Sequence, residues 1–138
     1  MNRSAFLLTT FLLTSIFISG CSKDEKEDVL KSLIGDWNAS SVNVSECIDE
    51  DDNGETTCNI FCFELSFNDD GSYSMLDSRE TGNPTTTEGT FTVTDSDIIF
   101  CETNGDCSRR AFSLDKRNLT LTYSDEDGCT FTEPYAKS

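Results

Sequence analysis

Histidine is absent from all 138 residues, and basic side chains are scarce: 10 Lys and Arg stand against 26 Asp and Glu, a formal charge of −16. Without imidazole, the chain lacks the commonest general base at neutral pH. It also lacks the nitrogen ligand of most zinc sites. Its cysteines form no pair of Cys-x-x-Cys knuckles, and the four-residue step from Cys58 to Cys62 is poor zinc-finger spacing. The acid excess repels nucleic acid and anionic surfaces through its long-range field, so nucleic-acid binding is set aside. A hydrophobic run that spans a bilayer comfortably is missing too, because the N-terminal apolar stretch is short and interrupted by Thr and Ser. Carboxylates are plentiful, but they cluster in turns, where Asp is favoured for backbone reasons, and they make a weak case for a glycosidase-type acid pair. No enzyme is expected.

What is present begins with the N-terminus. A short polar start carrying Arg3 leads into Ala5-Phe6-Leu7-Leu8, Phe11-Leu12-Leu13 and Ile16-Phe17-Ile18, the order of regions in a secretory signal peptide. Ile18-Ser19-Gly20-Cys21, an aliphatic residue, two small ones and a Cys, resembles the lipobox of bacterial lipoproteins. The resemblance implies residues 1–20 as signal peptide, cleavage before Cys21, and lipid (palmitate) added to that Cys. Residues 21–29 then read as a lipidated, charged and solvated tether. Within it, Lys23-Asp24-Glu25 resembles the signal that sends Bacteroidetes lipoproteins to the outer face of the outer membrane. Cell-surface display is therefore expected, with a periplasm-facing protein as the alternative.

Removing residues 1–20 from 138 leaves 118, with 9 basic and 26 acidic side chains, the size of one ordinary domain. Of seven cysteines, Cys21 is assigned to lipid. Cys47, Cys58, Cys62, Cys101, Cys107 and Cys129 remain, an even number that reads as three disulfides in an exported chain. Asp28–Ile34 is expected to form one or two helical turns, ended by Gly35. From there the pattern has period two. Strands are predicted over 37–47, 57–67, 72–78, 86–94, 97–102, 107–114, 118–124 and 129–134, separated by turn-forming clusters such as Asn68-Asp69-Asp70-Gly71 and Asn104-Gly105. With no segment for a crossover helix, the sheet must be antiparallel and sequentially paired. The expected fold is all-β, a meander of about eight strands over residues 30–138 closed into a small barrel, with a two-sheet sandwich as the alternative. Inward stripes are Phe61/Phe63/Leu65/Phe67, Phe91/Val93, Phe112/Leu114, Leu119/Leu121/Tyr123 and Phe131/Tyr135.

Leu33-Ile34-Gly35-Asp36-Trp37 is similar to the Gly-x-Trp opening of lipocalins and of lipocalin-like bacterial lipoproteins. Phe67 to Tyr73, Glu88-Gly89-Thr90-Phe91 and Leu119-Thr120-Leu121 follow in the order found in that bacterial group. The resemblance implies a lipocalin-like barrel in which Trp37 packs across the closed end. It also implies a basic residue over that ring, with Arg109, Arg110, Lys116 and Arg117 as candidates. It further implies non-enzymatic binding of a small apolar ligand inside the barrel. The six-Cys framework departs from the family pattern.

In such a meander the acidic loops 46–55, 102–106 and 125–127 gather at the end away from the tether. Cys101 and Cys107 face each other across a hairpin loop and are expected to pair. Cys47 can reach Cys58 or Cys129, and Cys47–Cys58 with Cys62–Cys129 is the preferred pairing. Asp49, Asp51, Asn53 and Glu55 have the start of a calcium loop, but Ile60 holds the place of its bidentate Glu. A solvated hairpin tip is the plainer account, with weak calcium binding as the alternative. Because the inward stripes are rich in Phe, a second function stands beside the apolar-ligand carrier. It is a packed, disulfide-clamped surface module that meets a cell-surface partner through its acidic loops.

Overall fold

The computed structural model describes residues 22–80 and 82–138; the segment expected to be a signal peptide, residues 1–20, and Cys21 lie outside the described residues. The chain opens with α1 (Ser22–Leu33) and continues through ten strand segments: β1 (Gly35–Ala39), β2 (Ser41–Ser45), β3 (Gly54–Thr57), β4 (Phe63–Phe67), β5 (Ser72–Asp77), β6 (Thr85–Val93), β7 (Asp97–Glu102), β8 (Cys107–Asp115), β9 (Asn118–Ser124) and β10 (Thr130–Lys137). Eight staves close into an antiparallel barrel, in the order β1, β4, β5, β6, β7, β8, β9, β10, with β1 returning to β10 through Trp37 opposite Lys137. The closed barrel, not the sandwich, is the architecture.

Two predicted strands are broken. The stave expected over 37–47 divides at Ser40 into β1, which pairs with β4, and β2, which pairs with β10 and β3. The stave expected over 57–67 divides into β3 and β4. At both breaks the backbone turns to other partners: the Cys58 N–H donates to the Ser40 carbonyl at 2.9 Å, and the Cys62 N–H to that of Ala39 at 2.6 Å. The break also explains how β10 runs through Pro134, where a strand end was predicted. On its β1/β2 side, β10 pairs through Thr130–Thr132 and again from Ala136, so the residue without an N–H falls in a gap in that ladder.

α1 is longer than the predicted Asp28–Ile34, and its first turns take up the segment assigned to the tether. Lys31 lies in its last turn, a placement the helix dipole favours. Glu27 and Lys31 pair at 2.9 Å. Val29 and Leu33 turn inward, and Leu33 is fully buried.

Inside the barrel, period-two alternation delivers the apolar stripes to one core: Trp37, Phe63, Leu65, Phe67, Tyr73, Phe91, Ile98, Phe100, Leu119, Leu121 and Tyr135 are all buried. Phe67 meets Phe91 edge-on at 4.6 Å between ring centroids, and Tyr73 meets Phe100 at 4.9 Å. These rings fill the middle of the barrel. Gly89 lets β6 and β7 approach, since a Cβ there would run into the Cys101 carbonyl.

Candidate functional site

The two ends of the barrel are built differently. At the closed end, Trp37 is fully buried and its indole N–H donates to the Leu33 carbonyl at 2.7 Å. The cation over its ring is Lys137, 5.0 Å from the centroid, in place of the candidates Arg109, Arg110, Lys116 and Arg117. Lys137 comes from β10, the neighbour across the barrel closure. Its ammonium also donates to the Ser32 carbonyl at 2.7 Å, so Lys137 and Trp37 together satisfy two of the last carbonyls of α1. Arg117 supports this arrangement indirectly by donating to the Lys137 carbonyl at 3.0 Å, while Arg109 points outward toward Asp97, 3.7 Å away.

At the open end the loops are tied covalently. The disulfides are Cys47–Cys129, Cys58–Cys62 and Cys101–Cys107. The last is the predicted hairpin clamp, its cysteines directly opposite in the β7–β8 register. The preferred pairing of Cys47 with Cys58 and of Cys62 with Cys129 is corrected. β2 lies beside the start of β10, which brings Cys47 to Cys129, whereas the break between β3 and β4 folds Cys58 back onto Cys62.

The calcium-loop residues do not converge. Asp49 accepts from the Asp51 N–H at 3.1 Å as the N-cap of a short 3-10 turn, and Asn53 accepts from the Cys47 N–H at 3.1 Å. Glu55 lies on β3. Among the described residues, no group of three or more His, Cys, Asp or Glu side chains is gathered to hold a metal ion. The side-chain oxygens of Asp49 and Asn53 hold the loop's own backbone.

Beneath the mouth lies a polar cluster that the sequence reasoning missed. Glu133 is fully buried on the inner face of β10, between Phe131 and Tyr135. Its carboxylate accepts three hydrogen bonds: from the Arg110 guanidinium of β8 at 2.8 Å, from the Tyr135 hydroxyl at 2.8 Å and from the Tyr123 hydroxyl at 3.0 Å. The Arg110 guanidinium also sits 4.4 Å from the Tyr123 ring centroid and 5.4 Å from that of Phe100. Burial, reinforced by the neighbouring Glu133 charge, pushes the Tyr123 hydroxyl up to about 12 and the Tyr135 hydroxyl well above its ordinary value. The available signal was parity: Glu133 and Arg110 both share the inward phase of their strands.

Nearer the rim, Arg79 lies 4.7 Å over the Phe63 ring and forms a bidentate pair with Asp77, at 3.0 and 2.7 Å. Burial raises the Asp77 carboxyl, but hydrogen bonds from the Arg79 side chain and backbone outweigh it and hold the group below the usual carboxylate value. Beside this pair a cleft of about 430 Å³ opens between Thr56–Phe61 and Ser78–Glu80. Ile60 stands at its lip, 77% exposed.

No model of a protein family matches the chain, and no curated protein matches it. Solved structures do. A lipocalin-like protein from Bacteroides uniformis matches with a TM-score of 0.54 at 15% identity, over 78% of this chain and 99% of that one. An uncharacterized protein from Bacteroides eggerthii matches with a TM-score of 0.53 at 11% identity, over 77% of this chain and 99% of that one. At such identities the likeness is one of fold: this chain has the barrel architecture of a lipocalin-like protein.

Proposed function

We propose that the protein is an envelope lipoprotein, held by lipid on Cys21, whose barrel is a non-enzymatic binding module that works at its open, disulfide-tied end. The observation that carries this reading is the filled interior. Phe67, Phe91, Phe100 and Tyr73 are buried in the barrel and the Glu133–Arg110 cluster lies above them, whereas a cleft of about 430 Å³ opens at the rim. A carrier needs an internal cavity of a few hundred Å³. Charge supports the orientation. All five lysines, at 23, 26, 31, 116 and 137, belong to α1, the β8–β9 turn or the end of β10, at the end where the tether leaves. The least acidic end would thus meet the membrane while the acidic loops face outward. Lys23-Asp24-Glu25 supports display on the outer face of the outer membrane.

The likeness to a lipocalin-like protein favours a second reading, a small apolar ligand inside the barrel. A mass spectrum of residues 22–138 from oxidising expression, taken under non-denaturing conditions, separates the two. Binding at the rim predicts an unliganded mass, and a co-purifying apolar molecule would overturn it in favour of the carrier. The anchor is tested separately: Cys21→Ala should release the protein from membranes, and continued attachment would contradict the lipid assignment.

A further inference from the structure

β3 is the one strand among the described residues with a partner on one side only. It pairs with β2 over four rungs, from Ser41 opposite Thr57 to Val44 opposite Gly54, and ends the sheet order. Every other strand has neighbours on both sides. The cause is covalent and local. The Cys58–Cys62 corner carries the chain inward to β4, and β5 then pairs with β4 and not with β3. The corner is pinned by the Cys58 and Cys62 hydrogen bonds to Ser40 and Ala39, and by the Ser78 N–H, which donates to the Cys62 carbonyl at 2.9 Å. An unpaired strand edge is left facing a cleft that Thr56 and Thr57 line from one side and Ser78, Arg79 and Glu80 from the other. A second hollow of about 320 Å³ continues it, also lined by Thr56, Arg79 and Glu80.

We infer that this edge and its cleft take an extended, cationic peptide segment of a partner protein as an added strand. The inference rests on the open-end reading above and names the partner's chemistry. Backbone N–H and C=O groups at an unpaired edge are templates for strand addition, with alternate side chains of the guest supplying specificity. Charge selects the sign. The hairpin that carries β3 holds Glu46, Asp49, Glu50, Asp51, Asp52 and Glu55, and Glu80 stands on the facing wall. The single cation of the cleft, Arg79, is matched by Asp77. Exposed Ile60 and half-buried Phe61 offer apolar contact to one guest side chain. A second copy of this chain is a poor guest, because two such edges would set like charges against each other.

The test is a titration of the isotope-labelled folded protein, followed by NMR at its backbone amides. The probe is a seven-residue peptide alternating lysine with valine and threonine. Two controls accompany it, the same peptide with glutamate for lysine and the lysine peptide with alternate backbone nitrogens methylated. The lysine peptide is expected to shift and protect the Gly54–Thr57 amides and to bind at least about tenfold more tightly than either control. The surface variant Glu55→Lys with Glu80→Lys should weaken it about tenfold without disturbing the fold. Silence at β3 up to millimolar peptide, or equal binding by the methylated or acidic control, overturns the inference. Shifts on other open-end loops alone would remove strand addition but leave open-end binding standing. Shifts confined to the interior or to the α1 end would remove both.

Discussion

The closed and open ends solve one problem, ending a barrel, by opposite means. At the closed end every device is packing and hydrogen bonding: α1 covers the floor, Trp37 fills it, and Lys137 and Trp37 satisfy the helix carbonyls. At the open end, interrupted staves and acidic loops leave too little apolar surface for that solution, and three disulfides hold what packing does not. The contrast teaches where change is tolerated. The packed end is a cooperative unit, whereas the stapled end can present an unpaired edge and a cleft without loosening the core.

The largest effect is expected at the packed end. Trp37→Ala removes a fully buried ring, its hydrogen bond and the Lys137 contact, and should cost about 5 kcal/mol in denaturant unfolding. A cost below about 2 kcal/mol would mean that the floor is not organised around it. Next come the staples, which should be unequal. Closing a longer loop removes more unfolded-state entropy, so replacing the Cys47–Cys129 bridge, with a separation of 82 residues, should cost about 4–5 kcal/mol. Losing Cys58–Cys62, with a separation of 4, should cost about 2 kcal/mol. The reverse order in thermal melts would mean that the short bridge does more than turn the chain into β4.

The smallest effect sits where the two regions meet. Tyr123 and Tyr135 have hydroxyls raised above the ordinary value of 10.0, Tyr123 to about 12. Their neutral forms therefore contribute stability that is fully present below pH 10 and is lost as pH rises, the Tyr123 share toward about 12. Melting temperature should fall across that window, and Tyr123→Phe should flatten the fall. A curve that is level there would contradict the buried, Glu133-facing placement of these rings.

Much of this contrast was legible in the residues. The strict alternation from Phe63 to Phe67 and from Leu119 to Tyr123 specified staves and an inner face, and six cysteines specified staples. What was not legible depends on contacts between distant segments. Lys137 reaches Trp37 only because β10 closes against β1, a register that no local pattern states. Ser40 breaks its stave for the sake of Cys58, and that break reassigns the disulfides. Glu133 shares the inward phase of Phe131 and Tyr135, but no local pattern states that Arg110 of β8 reaches it across the barrel. The calcium-like spacing at Asp49 to Glu55 was real as spacing, but Asp49 and Asn53 turn their oxygens to the loop's own backbone.

The most direct measurement is backbone hydrogen exchange before and after the three disulfides are reduced and capped. β2, β3 and the Cys101–Cys107 ends of β7 and β8 should lose protection. The amides of β1, β4 and β9 around Trp37 and Leu119 should keep theirs. Protection that falls evenly along every stave would contradict the division of the barrel into a packed end and a stapled one.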